Sequence, residues 1–364
     1  MLKLHVVQAE FGDCLFLEYG SGGNSKFILI DGGPADIYPL HLKQFLESIR
    51  QQSSPLEAAV LSHSDADHIT GLLDYFSDLQ TSGGAGSLPR PAVLWHNSFS
   101  KTIDVNNALA PRMQTLQAQS PQAFSADSGI AIHGVGEGNA LRLKALQLNI
   151  PLNDGFPNSL VLADTAPNPI SFDNLELHVV GPTQEDLDEL RQEWDDWLNE
   201  HEDAINSGNP FVMANSDRSV PNLSSIMLYA KADGKTILLT GDGRSDHLLN
   251  GLETAGLLQN GKLHVDVLKL MHHGSDRNVT KTFFKKVTAD TYVASANGRD
   301  DNPDLATLIW IAEAAQEQQR EITIFVTNDT PSVASFKEQY PPAEYGYKLK
   351  IMPKTKHSLA LDLA

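Results

Sequence analysis

Short apolar stretches alternate with amphipathic ones along most of the chain. Residues 2–8, 14–19, 26–31 and 57–61 have the length and the apolar content of β-strands, and glycine-rich turns separate the first three. Residues 38–51 place apolar side chains at helical spacing. This part of the chain therefore predicts strands that alternate with helices.

The last third of the chain repeats the pattern. Helices are predicted at 245–257, 280–286 and 303–319, and strands at 224–231, 235–240, 264–270, 290–295, 321–326, 346–352 and 357–362. Between the two strand-rich parts, residues 97–221 are rich in Gln, Asn and Ser. We therefore predict one domain, residues 1–364, with a polar insertion at 97–221 as a candidate lid or interaction segment.

Polar, metal-binding side chains follow the strand at 57–61. The segment runs Leu61-Ser62-His63-Ser64-Asp65-Ala66-Asp67-His68, which gives two imidazoles and two carboxylates within six residues. A helix N-cap would explain one of the carboxylates but not the other three groups. Imidazole nitrogens and carboxylate oxygens are the usual donors to divalent transition metals, so the segment predicts a metal site.

Four more polar motifs follow predicted strands. They are Asp31-Gly32-Gly33, Thr240-Gly241-Asp242, His272-His273-Gly274-Ser275 and Ser295-Ala296-Asn297-Gly298. An Asp-Gly pair after a strand is often only a turn. Together with the His63–His68 segment, however, the four motifs predict one site at which strand ends meet.

Composition and charge limit the classes of function that the chain could have. Hydrophobic residues make up 41% of the 364 residues and charged residues 20%, as expected for a chain with a substantial core. The formal net charge of −19 repels phosphate backbones and argues against broad nucleic-acid binding. The N-terminal sequence shows no secretory leader, and no apolar run of about 18 residues predicts a membrane span. The single cysteine, Cys14, fits a reducing compartment, so we expect a cytoplasmic protein.

The order of these motifs resembles that of the metallo-β-lactamase superfamily. The nearest likeness is the branch with the hydrolase domain of ComEC-type competence (DNA-uptake) proteins, over most of the chain outside 97–221. The features shared with that branch are Phe11-Gly12-Asp13, Asp65 in place of a histidine, Asn222 with Ser225, and the His-His-Gly-Ser stretch. The resemblance implies an α+β fold, an αββα sandwich with two mixed β-sheets face to face and helices on the outer faces, with metal at one edge.

The resemblance also implies the ligands of two divalent metal ions. The first ion would be held by His63 and Asp65, and the second by Asp67, His68 and a histidine of the 272–273 pair. His272 is favoured as the first residue beyond the strand, and His273 is the alternative. Asp242 would bridge both ions, while Asp31 would orient a ligand from outside.

One ligand of the first ion departs from the family pattern. The superfamily usually supplies a further histidine before the strand at 224–231, where this chain has Pro221-Asn222. Water, substrate, Asn222 or a histidine of the insertion would complete that ion. Oxygen donors favour Mn²⁺ and imidazoles suit Zn²⁺, so either metal fits the donor set.

The expected activity is metal-dependent hydrolysis by a metal-bound hydroxide, with Asp67 or Asp242 relaying the proton. A phosphodiesterase or nuclease-like enzyme is the first hypothesis, with a small-molecule, nucleotide or other phosphodiester substrate. A hydrolase of a lactone, amide or small ester is the second, and a catalytically inert regulatory or interaction module is the third. The candidates for binding substrate oxygens are Ser275, Asn278 and Asn297, and those for binding a phosphate are Lys269 and Arg299.

Overall fold

The computed structural model describes residues 1–82, 88–98, 102, 130–166, 168–200 and 224–363. Much of the predicted insertion at 97–221 therefore lies outside the described residues. Within the described part, no helix combines the length and the apolar character needed to cross a membrane.

The first sheet has six strands and combines antiparallel with parallel pairing. The strands, in spatial order, are β14 (Ser358–Asp362), β1 (Leu2–Val7), β2 (Leu15–Ser21), β3 (Asn24–Ile30), β4 (Leu56–Val60) and β5 (Leu94–Trp95). The pairs from β14 to β3 are antiparallel, whereas β3, β4 and β5 run parallel. The carboxyl ends of β3 and β4 therefore point to the same edge.

The second sheet has eight strands. In spatial order they are β13 (Tyr347–Ile351), β12 (Ile322–Val326), β11 (Val287–Ala294), β10 (Leu263–Lys269), β9 (Lys235–Leu239), β8 (Met227–Ala232), β7 (Leu175–Gly181) and β6 (Ile170–Phe172). Strands β9 to β13 are parallel, and β6 to β9 are antiparallel. Both sheets are thus mixed, as predicted.

Nine α-helices connect the strands in the described part of the chain. They are α1 (Lys43–Gln51), α2 (Ala66–Thr81), α3 (Ile130–Gln147), α4 (Gln184–Glu200), α5 (Ser245–Thr254), α6 (Lys281–Lys286), α7 (Leu305–Glu317), α8 (Pro331–Gln339) and α9 (Pro342–Tyr345). A π-helical turn, Tyr38–Leu42, precedes α1, and short 3₁₀ turns include Met271–Gly274 after β10.

Three layers of buried side chains hold these elements together. The central layer joins the inner faces of the two sheets, with Leu4 and Ile28 from the first sheet and Leu228 and Ile237 from the second. One outer layer packs α1 and α2 on the first sheet, and the other packs α5 to α8 on the second. The predicted α+β class, with two mixed sheets and helices outside, is confirmed.

The strand ends determine where the polar motifs meet. Asp31 follows β3 and Ser62 lies just beyond β4 in the first sheet, whereas Asp242, His272 and Ser295 follow β9, β10 and β11 in the second. Because β9, β10 and β11 are parallel neighbours, their carboxyl ends share one edge of that sheet. Loops from the two sheets can therefore face each other there.

Candidate metal centre

The carboxylate of Asp242 lies among four imidazoles. Its Oδ1 is 3.4 Å from Nε2 of His68, and its Oδ2 is 3.5 Å from Nε2 of His273. The Nε2 atoms of His63 and His272 each lie 3.7 Å from the same Oδ2. The Asp242 side chain is only 3% exposed, so these contacts form inside the protein.

Two groups of donors lie on either side of Asp242. In the first, which we call subsite 1, Nε2 of His63 is 3.5 Å from Oδ2 of Asp65. In the second, subsite 2, Oδ2 of Asp67 is 3.6 Å from Nε2 of His68 and 3.2 Å from Nε2 of His273. Oδ2 of Asp242 faces both His63 of subsite 1 and His273 of subsite 2, so the carboxylate is shared by both subsites.

Asp31 fixes the orientation of His68. Its Oδ2 lies 2.9 Å from Nδ1 of His68, and its two oxygens also accept bonds from the Ser62 backbone N–H and hydroxyl, each 2.7 Å away. A carboxylate beside Nδ1 keeps the ring proton on Nδ1. The lone pair of Nε2 is then the one that can bind a metal ion. The Nε2 of His68 is thereby turned toward Asp67 and Asp242.

Two facing glycines allow the contact between Asp31 and His68. A Cβ on Gly32 would stand 2.3 Å from the Leu72 nitrogen, and one on Gly71 would stand 2.0 Å from the Gly32 carbonyl oxygen. Only residues without a side chain let the loop after β3 approach α2 this closely. Because His68 lies in the first turn of α2, this close packing brings it to Asp31.

His272 and His273 adopt left-handed backbone conformations, with φ of 44° and 57°. Such conformations are costly for residues with a Cβ, and they persist where surrounding contacts enforce them. Nδ1 of His272 lies 2.8 Å from Oδ1 of Asn278, and Nδ1 of His273 lies 3.0 Å from the Ser295 carbonyl oxygen. Both rings are therefore held through Nδ1, while both Nε2 atoms face Asp242.

Several buried polar atoms of the cluster have no hydrogen-bond partner among the described residues. They are Nε2 of His63, His68 and His273, together with Oδ1 of Asp65 and Oδ1 of Asp242. Buried polar atoms are normally paired, and those of a native site require an explanation. Three imidazole nitrogens and two carboxylate oxygens that converge without partners fit the donor set of a divalent cation.

The carboxylates and imidazoles of the cluster shift the pKa values of one another. Burial opposes the charged form of Asp242, but the imidazoles around it hold its pKa well below its usual range. Burial also disfavours a charged His68 or His273, yet Asp242 and further carboxylates raise the pKa of both well above its ordinary value. Without a metal ion, protonated histidines therefore neutralise the carboxylates.

Asp13, for which the sequence predicts no chemical role, lies beside the candidate metal centre. Asp13, His68, Asp242 and His273 each offer a potential ligand atom within 4.8 Å of the others. Oδ1 of Asp13, however, lies 3.5 Å from Nδ1 of His273, and the ammonium of Lys269 pairs with its Oδ2. Asp13 therefore contacts the ring nitrogen of His273 that points away from Asp67, and the motif Phe11-Gly12-Asp13 was the signal that could have found it.

The three residues predicted to bind substrate oxygens, Ser275, Asn278 and Asn297, already have protein partners. The amide of Asn278 bonds both Nδ1 of His272 and the Asp242 carbonyl oxygen, and Ser275 is 5% exposed. Asn297 donates to Oε2 of Glu10, 2.9 Å away. Asn222 lies outside the described residues.

The two cationic side chains predicted to bind a phosphate differ in their surroundings. Lys269 is 1% exposed and ion-paired with Asp13, so it is not available to a substrate. The guanidinium of Arg299 lies 4.2 Å from the ring centre of Phe11 and is half exposed. Of the two, only Arg299 is open to solvent.

Comparison with known proteins gives one family match. The model of the metallo-beta-lactamase superfamily matches residues 7–89. No curated protein matches the chain.

Three solved structures are similar to the chain over nearly its full length. The metallo-beta-lactamase fold protein YhfI from Bacillus subtilis has 10% identity and a TM-score of 0.42, covering 99% of both chains. Zn²⁺-bound PqqB from Methylobacterium extorquens has 11% identity and a TM-score of 0.41, covering 99% of this chain and 100% of that one. A diphosphatase from the PhnP family has 12% identity and a TM-score of 0.39, covering 100% of this chain and 98% of that one. The family match, over the residues that include the His63–His68 segment, supports the metallo-beta-lactamase superfamily for this chain.

Proposed function

We propose that the protein is a metal-dependent hydrolase with two divalent cations, zinc or manganese, in subsites 1 and 2. His63 and Asp65 would hold one cation, Asp67, His68 and His273 the other, and Asp242 both. The observation that carries this proposal is the convergence of buried Nε2 and carboxylate oxygen atoms that have no hydrogen-bond partner in the described part of the chain.

The approach of His273 to Asp67, 3.2 Å, favours His273 for subsite 2 over His272, which the sequence alone favoured. His272, whose side chain is 29% exposed, lies 3.7 Å from Oδ2 of Asp242. It is a candidate to supply the imidazole that the first ion would otherwise lack.

The charges support two cations rather than one. Asp13 is neutralised by Lys269, which leaves the carboxylates of Asp31, Asp65, Asp67 and Asp242. Four negative charges match two dications when the histidines are neutral ligands. With a single dication, the remaining negative charge would have to be balanced by protonated histidines, which cannot bind a cation.

Cations bound in these subsites would polarise the reacting phosphoryl or carbonyl group and acidify a water molecule. The chain's own groups would position the reactants and move the proton. Asp67, whose side chain is 23% exposed, is the carboxylate of the cluster that can exchange a proton with solvent. Asp242, 3% exposed, holds the two subsites together instead of exchanging protons with solvent.

A phosphodiester is the substrate class we favour, because paired cations suit the attacking and leaving oxygens of an in-line displacement. The ComEC-like branch assignment rests on the sequence motifs and belongs to this proposal. A lactone, amide or other small ester is the second candidate. It is favoured by the engagement of Lys269 with Asp13, which removes one of the two cations predicted for a phosphate.

The test starts with elemental analysis of protein purified without added metal. Reconstitution with Zn²⁺ or Mn²⁺ would then be followed by assays on bis-nitrophenyl phosphate, short DNA, cyclic nucleotides and a lactone. We expect His68→Ala and Asp242→Asn to lose turnover and metal, whereas His264→Ala, at an exposed histidine of β10, retains both.

The outcomes separate the hypotheses. Turnover of the lactone alone would replace the phosphodiester with the second candidate. Bound metal without turnover of any substrate would support an inert regulatory or interaction module. Protein that binds neither metal would refute the proposed site itself.

A further inference from the structure

Lys269 and Asp13 form an ion pair in the interior, beside the candidate metal centre. Each side chain is 1% exposed, and the ammonium contacts Oδ2 of Asp13 directly. Lys269 is the last residue of β10, and Asp13 lies in the loop between β1 and β2. The pair therefore links the second sheet to the first at the edge where the metal-binding groups meet.

A buried ion pair of this kind contributes little to stability. Removing two charged groups from water costs free energy that their attraction roughly repays, and hydrophobic replacements of similar volume are often neutral or stabilising. Stability thus gives no reason for a lysine and an aspartate at this position. The neighbouring groups must supply the reason.

The free oxygen of Asp13 points to subsite 2. Oδ1 has no hydrogen-bond partner among the described residues and lies 3.5 Å from Nδ1 of His273. On the other imidazole of subsite 2, Asp31 lies 2.9 Å from Nδ1 of His68. Each of the two imidazoles therefore has a buried carboxylate on its Nδ1 side, which is the arrangement that orients ligating histidines in metalloproteins.

The backbone around Asp13 contacts subsite 2 as well. The Asp13 N–H donates to the Asp67 carbonyl oxygen over 3.2 Å. A Cβ on Gly12 would stand 1.9 Å from that same oxygen, so only glycine permits the approach. The Ser295 hydroxyl donates to the Gly12 carbonyl oxygen over 2.6 Å, and the Ser295 carbonyl oxygen accepts from Nδ1 of His273. The Gly12–Asp13 segment is thereby joined to both Asp67 and His273.

We propose that Asp13, ion-paired with Lys269, is a positioning residue that orients His273 and Asp67 as ligands of the cation in subsite 2. Lys269 supplies the positive charge that lets a carboxylate lie there without a solvent contact. The pair sets the cation affinity of subsite 2 and leaves subsite 1 unaffected. This inference rests on the proposed metal-dependent function.

The test is a double substitution, Asp13→Asn with Lys269→Met, in the full-length protein. Both charges disappear together, so neither partner remains buried alone. The measurements are the affinities for two Mn²⁺ or Zn²⁺ ions by chelator competition, the bound metal by elemental analysis, and the urea midpoint of the metal-free protein. The matched control is Asp266→Asn with Lys235→Met, a pair on β10 and β9 whose charged atoms lie 3.5 Å apart.

We expect the double variant to bind one of the two cations about 10–100-fold more weakly, the usual loss when an outer partner of a ligand is removed. Its metal-free urea midpoint should stay close to that of the wild type, because neither charge is left buried alone. The control pair should retain both affinities. As a milder second variant, Ser295→Ala removes the hydroxyl contact to Gly12 without changing a charge, and it should weaken the same cation in the same direction.

Unchanged affinities in both variants would overturn the inference. Weaker binding of both cations, in step with a lower metal-free urea midpoint, would overturn it too, since a purely structural pair behaves in that way. Wild-type protein that binds no cation would refute the proposed function, and this result is distinguishable because it precedes any variant.

Discussion

Replacing Asp31 with asparagine removes one hydrogen bond of the site, the one to His68, and keeps the neighbouring ones. The asparagine Oδ1 can still accept from the Ser62 N–H, and its amide can still bond the Ser62 hydroxyl, which both donates and accepts. The amide cannot accept the Nδ1 proton of His68. Asp31→Asn therefore removes the acceptor of His68 while the loop around Ser62 retains its hydrogen bonds.

The magnitude follows from the geometry of that contact. The 2.9 Å bond between His68 Nδ1 and Asp31 is charge-assisted, and its partners are 0% and 1% exposed at the side chain. Hydrogen bonds to charged groups contribute about 1.5–3 kcal/mol. We therefore expect the free energy of unfolding of the metal-free protein to fall by about 2 kcal/mol.

The effect on metal binding has a different cause. Facing an amide N–H, the His68 ring would carry its proton on Nε2 and accept at Nδ1, so Nε2 could no longer bind a cation. Even partial occupation of this tautomer weakens metal binding. Loss of a residue that orients a ligand typically lowers the metal affinity by about 10–100-fold. Urea unfolding of metal-free protein and chelator competition with Mn²⁺ or Zn²⁺ measure the two effects separately.

Asp266→Asn is the matched control. Oδ2 of Asp266 accepts from the Thr236 N–H and hydroxyl at 2.8 and 2.9 Å, and Asp31 likewise accepts from the Ser62 N–H and hydroxyl. Among the described residues, no histidine bonds the Asp266 carboxylate. The control should leave cation affinity unchanged. Wild-type affinity in Asp31→Asn as well would refute the claim that Asp31 orients His68 for a metal ion.

Three further predictions concern the loop at Gly12, the acid stability and the bound metal. Gly12→Ala forces its Cβ to within 1.9 Å of the Asp67 oxygen, so we expect a loss of about 1–3 kcal/mol in urea unfolding and weaker cation binding. The His5 hydrogen bond lowers the pKa of Glu18 to about 2, so its carboxylate stabilises the fold above the ordinary value near 4.5 and loses this effect as the pH falls toward 2. Glu18→Gln should thus be less stable by up to about 3 kcal/mol in urea titrations near pH 6, and the difference should vanish near pH 2. Chelation should lower the free energy of unfolding without unfolding the protein, by about 2.7 kcal/mol for each of the two cations relative to metal present at 100 times its dissociation constant.

The strands and the local order of the polar motifs could be predicted from the sequence. Apolar stretches such as 57–61 end where polar residues begin, and this boundary is visible without a structure. The carboxyl ends of parallel strands share one edge of a sheet. His63, Asp242 and His272, which all follow strand ends, are therefore expected to approach one another. The structure brings their side chains together around the Asp242 carboxylate.

The direction of each side chain could not be predicted in the same way. His272 and His273 both follow β10, and their two consecutive left-handed conformations decide which ring faces Asp67. Backbone angles of this kind depend on tertiary contacts, among them the bond of His273 to Ser295. The ion pair between Lys269 and Asp13 joins residues in different sheets, so the lysine resembled a substrate-binding cation until its partner was known.

The origin of the ligands explains why the site and the sandwich depend on each other. His63 and Asp65 come from the loop after β4 of the first sheet, and Asp67 and His68 from the first turn of α2 that follows it. Asp242 and the two neighbouring histidines follow strands of the second sheet. Bringing these carboxylates together costs electrostatic free energy unless positive charge lies between them. In the metal-free protein the raised pKa values of His68 and His273 provide that charge as protons. Divalent cations that displace these protons would bind both sheets at once, so ligand geometry at this edge is inseparable from the packing of one sheet on the other.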